Sequence, residues 1–189
     1  MRRFQWLALM GVVAVVLPIL LVACGGSRGA DQVLRPTATI KDIMDSLVDP
    51  SADALWESVA TIVTAAGTDE RKPRTDEEWT TVRRHAVRLV EATNLLLMEG
   101  RRVAAATDKS QNPNIELEPG QIETLIAQDR TAWINFAHAL HDAAMPALKA
   151  IDAKNAAGLL DAGEGIDTAC ENCHLKYWYP NQQAAAAKK

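Results

Sequence analysis

Apolar residues in this chain recur at three- and four-residue spacing, and no stretch alternates apolar and polar positions with period two over six residues. That periodicity restricts the chain to amphipathic helices. Ile40, Ile43, Met44, Leu47, Leu55, Val59 and Ile62 share one face, with Pro50 dividing the pattern, so a helix kinked or restarted at Asp49-Pro50 is expected. Thr75-Asp76-Glu77-Glu78 has the form of a capping box. Trp79, Val82, Ala86, Leu89, Thr93, Leu96, Gly100 and Val103 follow at helical period, which predicts a second helix over 76–105. After a polar connection over 107–120, the spacing of Ile122, Leu125, Ile126, Trp133, Phe136, Leu140, Ala147 and Ile151 predicts a third, bent near Pro146. A fourth is expected over 155–178, weakened by Gly158, Gly163 and Gly165 and ended by Pro180. The expected fold class is all-α, an up-down-up-down four-helix bundle occupying 38–181.

The first 23 residues stand outside that pattern. Arg2 and Arg3 precede an uncharged apolar run ending at Ala23, the form of an export signal. The run is nearly long enough to span a bilayer, so an uncleaved anchor is the alternative. Leu21-Val22-Ala23-Cys24 resembles the lipobox of bacterial lipoproteins, which implies cleavage before Cys24 and lipid on its thiol. Removing the leader takes away two arginines and no acid, leaving 166 of 189 residues with 18 basic and 24 acidic side chains, a charge of −6 against −4 for the whole chain. Residues 24–37, with Gly25-Gly26-Ser27-Arg28-Gly29-Ala30, read as a flexible tether, and 182–189 as a disordered tail. An acidic chain without a basic stripe argues against nucleic acid as a partner.

The chemistry falls in the fourth helix. Cys170-Glu171-Asn172-Cys173-His174 is C-x-x-C-H, the attachment signature of a c-type haem. On a helix Cys170, Cys173, His174 and Tyr177 stand at i, i+3, i+4 and i+7 on one face. Two thiols there can form thioethers with the vinyl groups on one porphyrin edge, and the imidazole can reach the iron. A thioredoxin-like dithiol would want a βαβ context, a disulfide would close a tiny strained loop, and zinc would need a fourth ligand. The core is also thin, Ala-rich and with seven aromatics after the leader, which suits a large apolar cofactor.

A C-x-x-C-H near the C-terminus of a four-helix chain, followed by an aromatic at Tyr177, resembles the class II c-type cytochromes, the cytochrome c′ and cytochrome c-556 group. The resemblance covers about 40–179. It implies one covalent haem c packed between helices, His174 as proximal iron ligand, and first-helix residues over the opposite face. In low-spin members a first-helix methionine binds the iron, and Met44 occupies that part of this chain. The family often carries a basic residue directly after the aromatic; here that position is Trp178, and Lys176 precedes Tyr177.

The expected activity is electron transfer by a lipid-anchored cytochrome on the periplasmic side of a bacterial membrane, the outer one being favoured by Gly25. The alternative is a five-coordinate haem that binds nitric oxide or carbon monoxide. The alternative for Met44 is an ordinary core methionine; Met98 and Met145 lie off the main stripes, and His85, His138 and His141 compete less well as ligands. Trp56, Trp79, Trp133 and Phe136 read as core or haem-packing residues. No charge constellation suggests an acid/base pair, so no enzymatic activity is expected. The acidic charge calls for a redox partner with a basic docking surface. The family also admits a homodimer through the first two helices.

Overall fold

The computed structural model describes residues 34–180 and Gln182; Cys24, the leader and nearly all of the tether and tail fall outside the described residues. The described chain is mostly helical, with one small two-stranded sheet. Its elements are α1 (Ile40–Ile43), a π-helical segment (Met44–Val48), α2 (Asp49–Ser58), β1 (Ala60–Thr64), β2 (Gly67–Arg71), α3 (Asp76–Leu96), α4 (Pro119–Gln128), α5 (Arg130–Asp152) and α6 (Ala156–Tyr177). No helix among the described residues is long and apolar enough to cross a membrane.

The first helical region starts on Thr39, whose hydroxyl accepts from the Asp42 N–H while the Asp42 carboxylate takes the Thr39 N–H, a reciprocal cap. Pro50 has no N–H to give the Ser46 carbonyl, and its ring crowds that carbonyl. The backbone widens into π geometry just before it, with the Asp49 N–H bonding the Met44 carbonyl. Asp49 is therefore inside a continuous helical path and caps nothing: of the kink or restart expected from sequence, the restart is absent and the irregularity is a π-helical segment.

That helix ends at Ser58, short of the expected run through Ile62. Val59 is already extended, and β1 pairs antiparallel with β2 from Ala60–Arg71 to Thr64–Gly67. The all-α expectation is corrected here. Thr61, Ile62, Val63 and Thr64 are β-branched and lose side-chain freedom in a helix, and Gly67 takes φ +133°, which the tight turn requires and other residues resist. Val59, 5% exposed, still meets the core, but Ile62 is 38% and Val63 76% exposed, so the expected apolar face ends at Val59.

α3 begins on the expected capping box, Thr75 accepting from the Glu78 N–H and Glu78 from the Thr75 N–H. Thr75→Ala should cost about 1 kcal/mol, read as a lower midpoint in urea with an unchanged slope; no shift would mean the exposed cap contributes nothing. The helix stops at Leu96, not at residue 105. Its end is fixed by distant donors: Arg101 Nε bonds the Leu95 carbonyl at 2.9 Å, Trp133 Nε1 the Leu96 carbonyl at 3.1 Å, and Arg130 the Leu97 carbonyl at 2.6 Å. The loop beyond, turning at Gly100 with φ +76°, folds back so that the Arg102 and Val103 carbonyls accept the first N–H groups of α1.

The expected third helix is two. Asp129 leaves helical geometry, φ −140° and ψ 71°, and its carboxylate caps α5 by accepting from the Ala132 N–H at 2.9 Å. Pro146, the expected bend, lies within an uninterrupted α5. α6 matches expectation closely, with Asn155 capping the Gly158 N–H. α5 packs on α3 and α6, α2 on α3 and α6, and the π segment on α1, α2 and α3. Gly163 has a packing reason: a Cβ there would lie 3.0 Å from the Trp56 ring, whose Nε1 donates to the Gly163 carbonyl at 3.2 Å. The core centres on Ile43, Leu55, Leu89, Leu159 and Ile166, each 2% exposed or less.

Candidate functional site

The buried stripe of α6 runs Leu159, Ala162, Ile166, Ala169 and Tyr177 at three- and four-residue steps, and Cys173 continues it. Cys170 and His174 lie beside that stripe, on the edge that includes Gly163 and hence meets α2 through Trp56. Both cysteines are free and half-buried, packed against the common core. The helical register that suits C-x-x-C-H is thus present, with both thiols on the inner side.

Burial sets the protonation of the set. The Cys170 thiol is pushed up to about 11, first by desolvation and then by Asp167 and Asp49, and Cys173 up to about 12, by desolvation and by Cys170. Neither is a thiolate near neutral pH, unlike the activated cysteine of a dithiol oxidoreductase. Burial lowers His174, against the opposing pull of the Glu171 and Asp49 carboxylates. The imidazole is therefore held toward its neutral form, the form that ligates metals.

Rings enclose the site. Tyr177, 3% exposed, meets Trp133 and Phe136 of α5 edge-on, with centroids 5.3 and 5.8 Å apart. Its buried hydroxyl has no hydrogen-bond partner among the described residues, nor has that of Ser51 in α2. Lys176 is held by Asp129 at 3.5 Å and lies over the rings of Phe136 and Tyr177. The groups against His174 are instead Trp178, edge-on at 5.1 Å, and Tyr179, tilted at 5.8 Å.

Met44 opens the π segment, is half-buried and packs against the same core as Cys170 and Cys173. Its carbonyl holds the N–H of Asp49, whose charge reaches both Cys170 and His174. The other sulfur and imidazole candidates are engaged elsewhere or exposed. Met98 Sδ accepts from Arg101 at 3.0 Å, Met145 is exposed, His85 lies beside Arg88 and His141 beside Asp142, and His138 is exposed. Asp49, Glu171, Trp178 and Tyr179 were not singled out from sequence as neighbours of His174. Glu171 lies inside the motif and Tyr179 just beyond the helix, but only a folded helix end brings the Tyr179 ring against the imidazole.

Two surface cavities of about 530 and 520 Å³ lie away from this face, one beside β2 and the start of α3, the other between α5 and α6 at Pro146 and Gly158. Among the described residues no group of three or more His, Cys, Asp or Glu side chains is arranged to hold a metal ion. The donor set fits covalent haem in its chemistry: two protonated thiols and a neutral imidazole on one helical face, with aromatic rings and an unpartnered buried hydroxyl alongside. No family model, curated protein or solved structure matches the chain.

Proposed function

We propose that this chain is an exported monohaem c-type cytochrome of the class II type, tethered by lipid on Cys24, with α2, α3, α5 and α6 as the four helices of its bundle. The observation that carries the reading is the set of two half-buried free thiols and the His174 imidazole at i, i+3 and i+4 of α6. Cys170 and Cys173 would hold the haem by thioethers and His174 would ligate its iron. When bound, the group supplies a one-electron ferric/ferrous couple. Trp133, Phe136 and Tyr177 give an apolar wall that keeps water from the inner side, and the neutral state of His174 leaves a lone pair free for the metal. Met44 is the side chain of the first helical region proposed for the opposite face. The half-buried position of Met44 against the shared core supports it.

The partner proposed is a periplasmic redox protein with a basic surface, to complement the −6 charge of the mature chain. Protein matured with its leader in a host that attaches haem c should give a pyridine haemochrome spectrum of the two-thioether type. Its reduced form should show a sharp low-spin α band. Met44→Ala should convert that band to a high-spin spectrum and make the protein reactive to carbon monoxide. A high-spin wild-type spectrum would move the reading to the gas-binding alternative, and absence of covalent haem would end both.

A further inference from the structure

A histidine that ligates a metal usually donates its second ring N–H to a carboxylate or carbonyl, which raises its basicity. No described residue makes such a bond to the His174 ring, although Glu171 stands one helical turn before it and acts on it electrostatically. One oxygen of the Glu171 carboxylate is committed elsewhere, which fixes where the group points: Tyr179 donates its hydroxyl to Glu171 Oε2 at 2.6 Å. Tyr179 is itself fixed. Its N–H and that of Trp178 both bond the His174 carbonyl, at 3.0 and 2.8 Å, and the Trp178 carbonyl accepts the Leu117 N–H at 2.8 Å from the loop before α4. Trp178 and Tyr179 also touch each other, with centroids 5.4 Å apart.

We infer that Tyr179 is a positioning residue that holds the Glu171 carboxylate off the imidazole of His174, leaving the orientation of that ring to Trp178 and Tyr179. The inference rests on the proposed role of His174 for its redox consequence, but the side-chain arrangement stands without it. Removing the hydroxyl frees Glu171, which is one turn away on the same helix, to accept the ring N–H. An imidazole so bonded is a stronger donor and stabilises the ferric state, so the midpoint potential falls.

The test uses Tyr179→Phe, Glu171→Ala and the double variant in the full chain. In the haem-free protein, at a pH where His174 is neutral, Tyr179→Phe should move the ring nitrogen resonances of His174 toward those of a hydrogen-bonded N–H. The double variant, which has no acceptor at position 171, should return them toward wild type. In haem-loaded protein the midpoint potential should fall in Tyr179→Phe and recover in the double variant, with Met44 ligation unchanged in the optical spectrum. Unchanged nitrogen resonances in Tyr179→Phe would overturn the inference, as would a shift that persists in the double variant. A shift in a protein that takes up no covalent haem would uphold the Tyr179 arrangement while ending the cytochrome reading.

Discussion

Replacing both Cys170 and Cys173 by serine is expected to abolish covalent haem while leaving the helical fold in place. A serine hydroxyl does not add to a vinyl group under the conditions in which thiols form thioethers, so both bonds to the porphyrin are lost together. Each single variant keeps one thiol and should retain haem through one thioether, with the α band displaced because one vinyl group stays conjugated. The fold should tolerate the change because both side chains are only half-buried and serine is slightly smaller than cysteine. Acid–acetone extraction of the double variant checks the result: haem that stays with the polypeptide would refute attachment at these residues. Far-UV circular dichroism of the same sample separates loss of attachment from loss of fold.

Leu89→Ala should give the largest loss of stability of any single truncation considered. Leu89 is 0% exposed in α3, the helix that packs on α2, the π segment and α5, so the cavity would open where several elements meet. Such truncations cost about 3–5 kcal/mol, against a total of about 5–15 kcal/mol for a domain of this size. At about 2–4 °C per kcal/mol, the melting temperature should drop by roughly 10 °C. Leu160→Ala is the control, because its side chain is 46% exposed on α6 and its loss should stay within about 0.5 kcal/mol. Equal shifts for the two would place the core elsewhere than around α3.

Two carboxylates show how far the sequence could be read. Glu78 was legible as part of a capping box because its partner Thr75 is three residues away and the bond is local. Glu171 was not legible as a neighbour of His174 bound to Tyr179, because Tyr179 reaches it only where the chain turns at the end of α6. The same contrast holds for the helices. α6 was bounded within a residue, since Asn155 caps it locally and Pro180 follows its end. The apolar period runs nine residues past the end of α3, because the carbonyls there are taken by Trp133 and Arg130 of α5 and by Arg101 of the returning loop, none of which periodicity reports.

The hairpin at Ala60–Arg71 teaches the opposite lesson. Its signal is local, a β-branched run followed by a glycine, but Val59 and Ile62 extend a helical spacing across it and mask it. Propensity decided the outcome there because the segment projects from the core and packing exerts no pull on it.

By itself the sequence determined the mostly helical character of the chain, the capping box at Thr75, and the placing of two cysteines and a histidine on one helical face. These follow from interactions within four residues, which a linear pattern carries in full. Only the tertiary structure decided where α3 stops, that Asp49 lies near Cys170 and His174, that Lys176 goes to Asp129, and that Trp178 and Tyr179 lie against the imidazole. Apart from the Trp178 and Tyr179 contacts, each of these depends on groups from separate elements meeting. The two aromatic contacts are close in sequence but arise only because the chain bends back on the His174 carbonyl as α6 ends.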